Sequence, residues 1–506
     1  MGKTNAAKQP IFSGWSSLSS KSTTGRPDTY VYSYPVLGAA IQDGIVRLLS
    51  IAGTIVVAVL IYRFLRRRWE RTDVLLRLPS QPHPVRVRVG CHRTGPNAWE
   101  VRDLATAKQL ISHPAISGDY MASLLAPLSD AERREFAFLE QWFREWPLFQ
   151  EGPSQRHLHA TLAKIFSIEY VGQVRPLAAR TCKRLLAEAR RGGAERGGWD
   201  VMEALARPLP LLVIAQVVGF PAEDVPKLQR WADQVEEWFG GAAPLAERCR
   251  ACQACLREYT EYARRLAERL RADEAGRGGG GGAGGGGAAG AAGAAGAAGA
   301  RPVLLELLAL SELAEDDPAR LSEGAAYANA FLVMSAAYET TAALIGGTLL
   351  SLLQHADTHL REVRDEHGAS DAAVHSAVSE ALRYCSPIKT MYRECRADLH
   401  LASGATLRRG DGVTFVNTAL NLDADAFDAP TAYRPARSNA ELRRHAAFGL
   451  GAHRCPGWRL GVLEACEAVQ AVLRTCPQLR LAPRPLLPKW KPLDSLNCLE
   501  ALHVIG

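Results

Sequence analysis

No dinucleotide-binding fingerprint occurs in this 506-residue chain. Its one long glycine-rich tract, Gly278 to Ala300, holds only glycine and alanine and lacks the spaced residues that cradle a pyrophosphate. A flavin or ferredoxin module is therefore not visible. Lysine and arginine are nowhere interleaved with aromatics in a stripe, and a formal charge of +7 is modest for this length, which argues against a nucleic-acid groove. Eleven cysteines, an odd number without regular spacing, exclude a disulfide framework and fit a reducing compartment. Cys249, Cys252 and Cys255 have the spacing of part of an iron–sulfur run, but Tyr259 stands where a fourth sulfur would fall. Their helical surroundings make them structural thiols. The start MGKTNA lacks the hydroxyl residue that N-myristoylation requires.

With 47% hydrophobic residues the chain has the means to bury a large core. Residues 1–35 are polar, rich in Ser, Thr and Lys, and read as a disordered N-terminus. An uninterrupted small or apolar run, Leu48 to Tyr62, follows between Arg47 and Arg63. It is shorter than the about twenty residues that span a bilayer. Snorkelling arginines extend the usable stretch to residues 44–65, read as a single membrane-anchor helix; the alternative is a short core helix. The following Arg66, Arg67 and Arg68 do not suit a cleaved signal, and by the positive-inside rule they put the downstream domain on the cytoplasmic face.

From Val85 to Val101 the pattern alternates and breaks at Gly95-Pro96, as in a hairpin. Helical periodicity then dominates to about residue 385, strand-like pieces run to about 437, and one more helix follows Cys455. This predicts a mainly α domain with a small β-sheet subdomain over residues 75–506, carrying a flexible Gly/Ala insertion at 278–300.

The most informative string is FGLGAHRCPG, Phe448 to Gly457. A thiolate that ligates haem iron needs a lone sulfur, close approach of the main chain to a flat macrocycle, and backbone donors aimed at the sulfur. Cys455 is the lone sulfur; Gly449, Gly451 and Gly457 permit the approach; Pro456 suits the first position of a following helix. Upstream, Phe331 to Leu353 reads as a buried helix, apolar nearly all round, that nevertheless contains Glu339 and Thr340. A buried acid beside a hydroxyl is costly unless paired, hydrated or functional, and the alternative is a threonine bonding back to a preceding carbonyl. Glu380 and Arg383 stand one helical turn apart, a spacing that by itself says little.

Phe448, Gly449, Gly451, His453, Cys455 and Gly457 match every specified position of the haem-binding signature of the cytochrome P-450 family, F-G-x-G-x-H-x-C-x-G. The chain resembles that family from about residue 75 onward. The resemblance implies the family fold, with haem b between a long central helix and the ligand loop, and Cys455 as the iron ligand. AAYETT, Ala336 to Thr341, resembles the central-helix motif and carries over Glu339 as the acid and Thr340 as the alcohol of proton delivery, with Ala337 in place of the more usual glycine. Glu380 and Arg383 resemble the family's E-x-x-R, whose third partner would be Arg437. The haem propionates would meet His453 and Arg393, while Gln155 and His159 stand where an aromatic or histidine and then an arginine are usual.

Implied with the family is a monooxygenase that inserts one oxygen atom from O2 into an apolar small molecule of secondary metabolism. Two electrons would come from a separate ferredoxin or flavoprotein reductase, docked on Arg443, Arg444, Arg454 and Arg459. Val333 to Ala337 and Ile388 to Tyr392 would wall the substrate pocket. A relative that couples, dehydrates or rearranges without oxygen insertion is the second reading, and a haem-binding sensor without turnover is the third. The anchor implies a single-pass protein facing the cytoplasm, in the endoplasmic reticulum of a eukaryote or the inner membrane of a bacterium.

Overall fold

The computed structural model describes residues 91–506 apart from 197, 279–300, 318, 367–368, 484–486 and 492–494. The expected disordered N-terminus, the anchor at 44–65 and nearly all of the Gly/Ala insertion lie outside the described residues. Among the described residues, helices of eleven residues or more are α1 Gly152–Ile165, α2 Ile168–Arg196, α3 Pro208–Val218, α4 Val225–Gly240, α5 Leu245–Gly278, α6 Glu323–Gln354, α7 Asp371–Tyr384 and α8 Trp458–Thr475.

The longest apolar helix among the described residues, α6, lies in the core because its surface is apolar on nearly every side. Ser322 starts it, its side chain accepting the Ala325 N–H, and nearly every residue from Ala325 to Leu353 is buried. It packs against α3, α7 and α8. This is also the one described helix long and apolar enough to cross a membrane, and its burial makes it a core helix.

A five-stranded sheet stands beside the helices, with strands β1 Cys91–Gly95, β2 Ala98–Val101, β3 Ile116–Ser117, β4 Met391–Cys395 and β5 Gly412–Phe415. The order is β1-β2-β5-β4-β3, antiparallel throughout except where β2 runs parallel to β5. Its own apolar cluster includes Trp99, Val101, Val413, Phe415 and Phe427, apart from the helical core. A small hairpin pairs β6 Lys489–Trp490 with β7 Leu499–Ala501 near the C-terminus. The mainly α architecture with a minor sheet follows the sequence pattern. Cys249, Cys252 and Cys255 sit in α5 with their side chains in the core; Trp238 donates to the Cys249 sulfur at 3.4 Å, and burial pushes all three thiols up. Buried thiols with raised pKa are inert packing groups.

Candidate active site

Cys455 ends a loop that the backbone closes on itself, its N–H donating to the Phe448 carbonyl at 2.8 Å. Gly449 and Gly451 adopt φ of +77° and +69°, a region that an L side chain enters only with strain, so both glycines are required by the turn. One expectation is corrected here. Pro456 is not the first residue of the next helix: α8 begins at Trp458 with Gly457 at its N-cap. Proline lies in the turn before it because the chain must first reverse around the sulfur. The donor aimed at the thiol is therefore the Gly457 N–H. Burial raises the Cys455 pKa, and Gly457 and Arg454 oppose that shift.

Glu380 and Arg383 project from the last turns of α7 into a pocket where neither side chain has any exposure, joined there by Arg437. Arg383 donates Nε to Glu380 Oε2 at 2.8 Å and Nη2 to Oε1 at 2.6 Å, and Arg437 Nε reaches the same Oε1 at 2.9 Å. The remaining guanidinium donors go to the carbonyls of Asn421, Pro430, Ala432 and Ala429 and to Glu441. Every arm of this cluster ties α7 to the chain leading into the cysteine loop.

Within α6, burial is interrupted at Leu332, Ser335, Ala336, Ala337 and Thr340. Steps of three and four put them on one face of the helix, so a stripe of small or apolar side chains fronts open space in mid-core. The helix is regular α throughout, with no change of pitch at Ala337. Thr340 Oγ1 donates to the Ala336 carbonyl at 2.7 Å, the local bond that threonines in helices commonly make.

On the sheet side, Arg393 of β4 and His453 line one cavity of about 490 Å³, with Ile111, His113 and Glu151. Arg393 is buried, and the one hydrogen bond of its guanidinium among the described residues runs from Nη1 to the Tyr392 carbonyl at 2.7 Å. Burial pulls its pKa below the usual arginine value. Burial pulls the Glu151 carboxyl up, but His453, the Gly118 N–H and Ser117 outweigh it and hold the group below its ordinary value.

The family profile described as Cytochrome P450 matches residues 250–478, a span that contains the central helix, the Glu–Arg turn and the cysteine loop. The chain belongs to the cytochrome P-450 family. The cytochrome P-450 monooxygenase PikC of Streptomyces venezuelae is 26% identical over 84% of this chain and 91% of its own. The 20-oxo-5-O-mycaminosyltylactone 23-monooxygenase of Streptomyces fradiae is 40% identical over a shorter stretch, 30% of this chain and 34% of its own. In fold the chain resembles P450BioI, crystallised with an acyl carrier protein bearing hexadec-9Z-enoic acid. The TM-score is 0.66 at 23% identity, covering 88% of this chain and 99% of that one. The chain is thus a P-450 monooxygenase, an oxidoreductase whose cofactor is haem b.

The residues present fit that cofactor. A guanidinium nine-tenths buried with donors to spare requires an anion, and Arg393 directs such donors into the cavity it shares with His453. Cys455 supplies a sulfur with no side-chain partner among the described residues. His159 is a different matter: its Nε2 lies 2.6 Å from the Arg454 carbonyl, and Gln155 donates to the Ala452 carbonyl at 3.0 Å. Both α1 side chains bind the backbone of the ligand loop, and neither lines the Arg393 cavity. For His159 the structure shows this loop contact, and a propionate contact stays what the family resemblance implies.

Glu339 and Thr340 are neighbours in sequence but are not brought together. The Glu339 carboxylate is buried and faces the C-terminal hairpin, where Lys491 Nζ donates to Oε1 at 2.7 Å and the Cys498 thiol to Oε2 at 3.2 Å. Lys491 and Cys498 escaped sequence reasoning. The one available signal was that a buried acid requires a partner, which says nothing of where in the chain that partner lies.

Proposed function

We propose that this P-450 oxidises an apolar small molecule of secondary metabolism by hydroxylation or epoxidation, with Cys455 as the iron ligand. The observation that carries this reading is the half-buried Cys455 sulfur, which receives a backbone N–H from Gly457 and has no side-chain partner among the described residues. When bound, haem b would supply the iron chemistry that activates dioxygen, and a thiolate from Cys455 would favour O–O cleavage over reversible storage. Gly457 N–H would temper the sulfur charge, while Arg393 and His453, which line one cavity, would hold the propionates. The half-open face of α6 presents Leu332, Ala336 and Ala337 as apolar walls beside the Thr340 hydroxyl. Such walls favour an apolar substrate, and the Streptomyces fradiae relative, a 20-oxo-5-O-mycaminosyltylactone 23-monooxygenase, supports a substrate of secondary metabolism.

Thr340 holds a proton at Oγ1 on that face, donated in this structure to the Ala336 carbonyl, while the Glu339 carboxylate is held by Lys491 and Cys498 and acts as the acid only once released from them. Thr340→Ala is expected to lower product formed per oxygen consumed by about tenfold, with the missing electrons recovered as hydrogen peroxide. Electrons come from a separate protein. Arg443, Arg444 and Arg454 are exposed, and Trp458 lies between Arg454 and Arg459 at 5.3 and 4.6 Å, so this face suits an acidic donor.

The deciding experiment is a carbon monoxide difference spectrum of the reduced protein, then a spin-shift screen for substrate and turnover under labelled dioxygen. Product without the label removes the oxygen-insertion reading and leaves coupling or rearrangement. We further propose that residues 44–65 tether the protein to a membrane with its catalytic domain on the cytoplasmic side. The full chain should then sediment with membranes and resist high-salt extraction; recovery in the supernatant would remove the tether.

A further inference from the structure

The carboxylate of Glu339 belongs to a larger ionic group that neither the sequence motifs nor the family resemblance assigns. Helix α4 contributes Asp233 and Glu236, one turn apart; α6 contributes Tyr338 and Glu339; the C-terminal hairpin contributes Lys491 and Cys498. Arg207, just before α3, also acts on this group, with its Nη2 anchored on the Leu499 and Glu500 carbonyls at 2.7 and 2.8 Å. Oxygens of Asp233, Glu236 and Glu339 all lie within 4.8 Å of one another. Lys491 Nζ is 2.7 Å from Glu339 and 3.7 Å from Glu236. Exposure falls along the series, with Asp233 at the surface, Glu236 half-buried and Glu339 buried. Asp233 opens on a shallow surface pocket of about 400 Å³ lined also by Gln229, Arg230 and Glu237.

We propose that Asp233, Glu236 and Lys491 form the proton entry of this enzyme, with Lys491 changing partner from Glu339 to Glu236 as a proton passes inward. The inference rests on the monooxygenase reading and deepens it. Three carboxylates share one lysine within a few ångströms, so the group is most stable holding a proton of its own. Glu236 is where it sits. Its Oε1 is buried without a hydrogen-bond partner, a costly position for an ionised oxygen. Burial first, then the charges of Glu339 and Asp233, push its pKa up to about 7 against the pull of Lys491. Burial and Glu339 raise Asp233 as well. In the structure Lys491 is paired with Glu339, its own pKa above the usual value because Glu339 and Glu236 outweigh the burial that would lower it.

The step conserves charge. Glu236 gives its proton to Glu339; Glu236 becomes the carboxylate and Glu339 the neutral acid; the Lys491 ammonium moves to Glu236 and keeps its own protons. Neutral Glu339 is no longer held by an ion pair and is released toward its neighbour Thr340, where it gives the proton up. Glu236 reloads from water through Asp233. One proton enters for each proton delivered. Lys491 is thus a positioning residue, and Glu236 a carrier that never meets the substrate.

The test has two arms. Infrared titration of the full-length holoenzyme should show a buried protonated-carboxyl band that disappears around pH 7. Glu236→Gln should remove this band, Lys491→Met should shift its midpoint up by about one pH unit or more, and Lys491→Arg should restore it. A band unchanged in Glu236→Gln overturns the proposal. In the second arm electrons are supplied photochemically and oxygen consumption is compared with peroxide-driven oxidation of guaiacol, which brings its own protons. Glu236→Gln should raise the ratio of peroxide-driven to electron-driven turnover by about tenfold and increase the solvent deuterium effect on the latter. An unchanged ratio, or equal loss by both routes, overturns the proton-entry role. Wild-type protein that consumes no oxygen overturns the monooxygenase reading instead, and the infrared arm, which needs no turnover, keeps the two failures apart.

Discussion

Cys455→Ala is expected to abolish the carbon monoxide band at about 450 nm and all electron-driven turnover, while the protein stays folded. The loop around this residue is held by main chain: the Cys455 N–H to Phe448 carbonyl bond and the positive-φ turns at Gly449 and Gly451 do not involve the sulfur. Losing one half-buried sulfur costs about 1 kcal/mol, a small part of the about 5–15 kcal/mol that holds a domain together. Function and stability therefore separate in this variant. Circular dichroism should match the wild type and the spectrum of the reduced carbon monoxide complex should not. A variant that retained the thiolate band would show that the ligand is another side chain, and the assignment of Cys455 would fall with it.

Glu380→Gln is expected to do the reverse, damaging stability with no direct part in the chemistry. Glu380 Oε1 alone accepts from Arg383, from Arg437 and from the Arg434 N–H. Removing its charge leaves two guanidinium groups without side-chain exposure and a single remaining acid, Glu441, for both. Breaking one side of a buried ion cluster costs about 3–5 kcal/mol. For a domain of this size that lowers the melting temperature by roughly 5 °C and lowers the haem content of the purified protein, because the cluster anchors the chain leading into the cysteine loop. Arg383→Met should cost a similar amount. Melting curves followed by the haem absorbance and by circular dichroism measure both; an unshifted midpoint in either variant would show that the cluster does not hold the loop.

Both variants were foreseeable from the sequence, and the reason lies in spacing. The cysteine loop is ten consecutive residues whose chemistry is local: glycines for the turn, one sulfur, one following helix. Glu380 and Arg383 are one turn apart on a helix whose start Ser370 marks by capping Ala373; that spacing alone said little, and their pairing was legible through the resemblance to the family's E-x-x-R. The buried central helix was legible too, because an apolar run on every face admits no other place. Less was legible at the edges of these elements. Pro456 was expected to begin α8, and the helix begins two residues later, because the turn that presents the sulfur takes precedence over proline's preference for a first helical turn. The contact of His159 with the Arg454 carbonyl was not foreseen.

What the sequence by itself determined about this chain is its mainly helical class and its kinship with the P-450 enzymes, and it singled out Cys455 as the candidate iron ligand, all from short-range patterns. What only the tertiary structure decided is where Glu339 turns. From the sequence it stands beside Thr340; in the fold its carboxylate is held by Lys491 and Cys498, more than 150 residues further along the chain. The physical reason is that a buried charge settles on whatever opposite charge and donors the packing brings within reach, and packing unites residues that no local pattern connects.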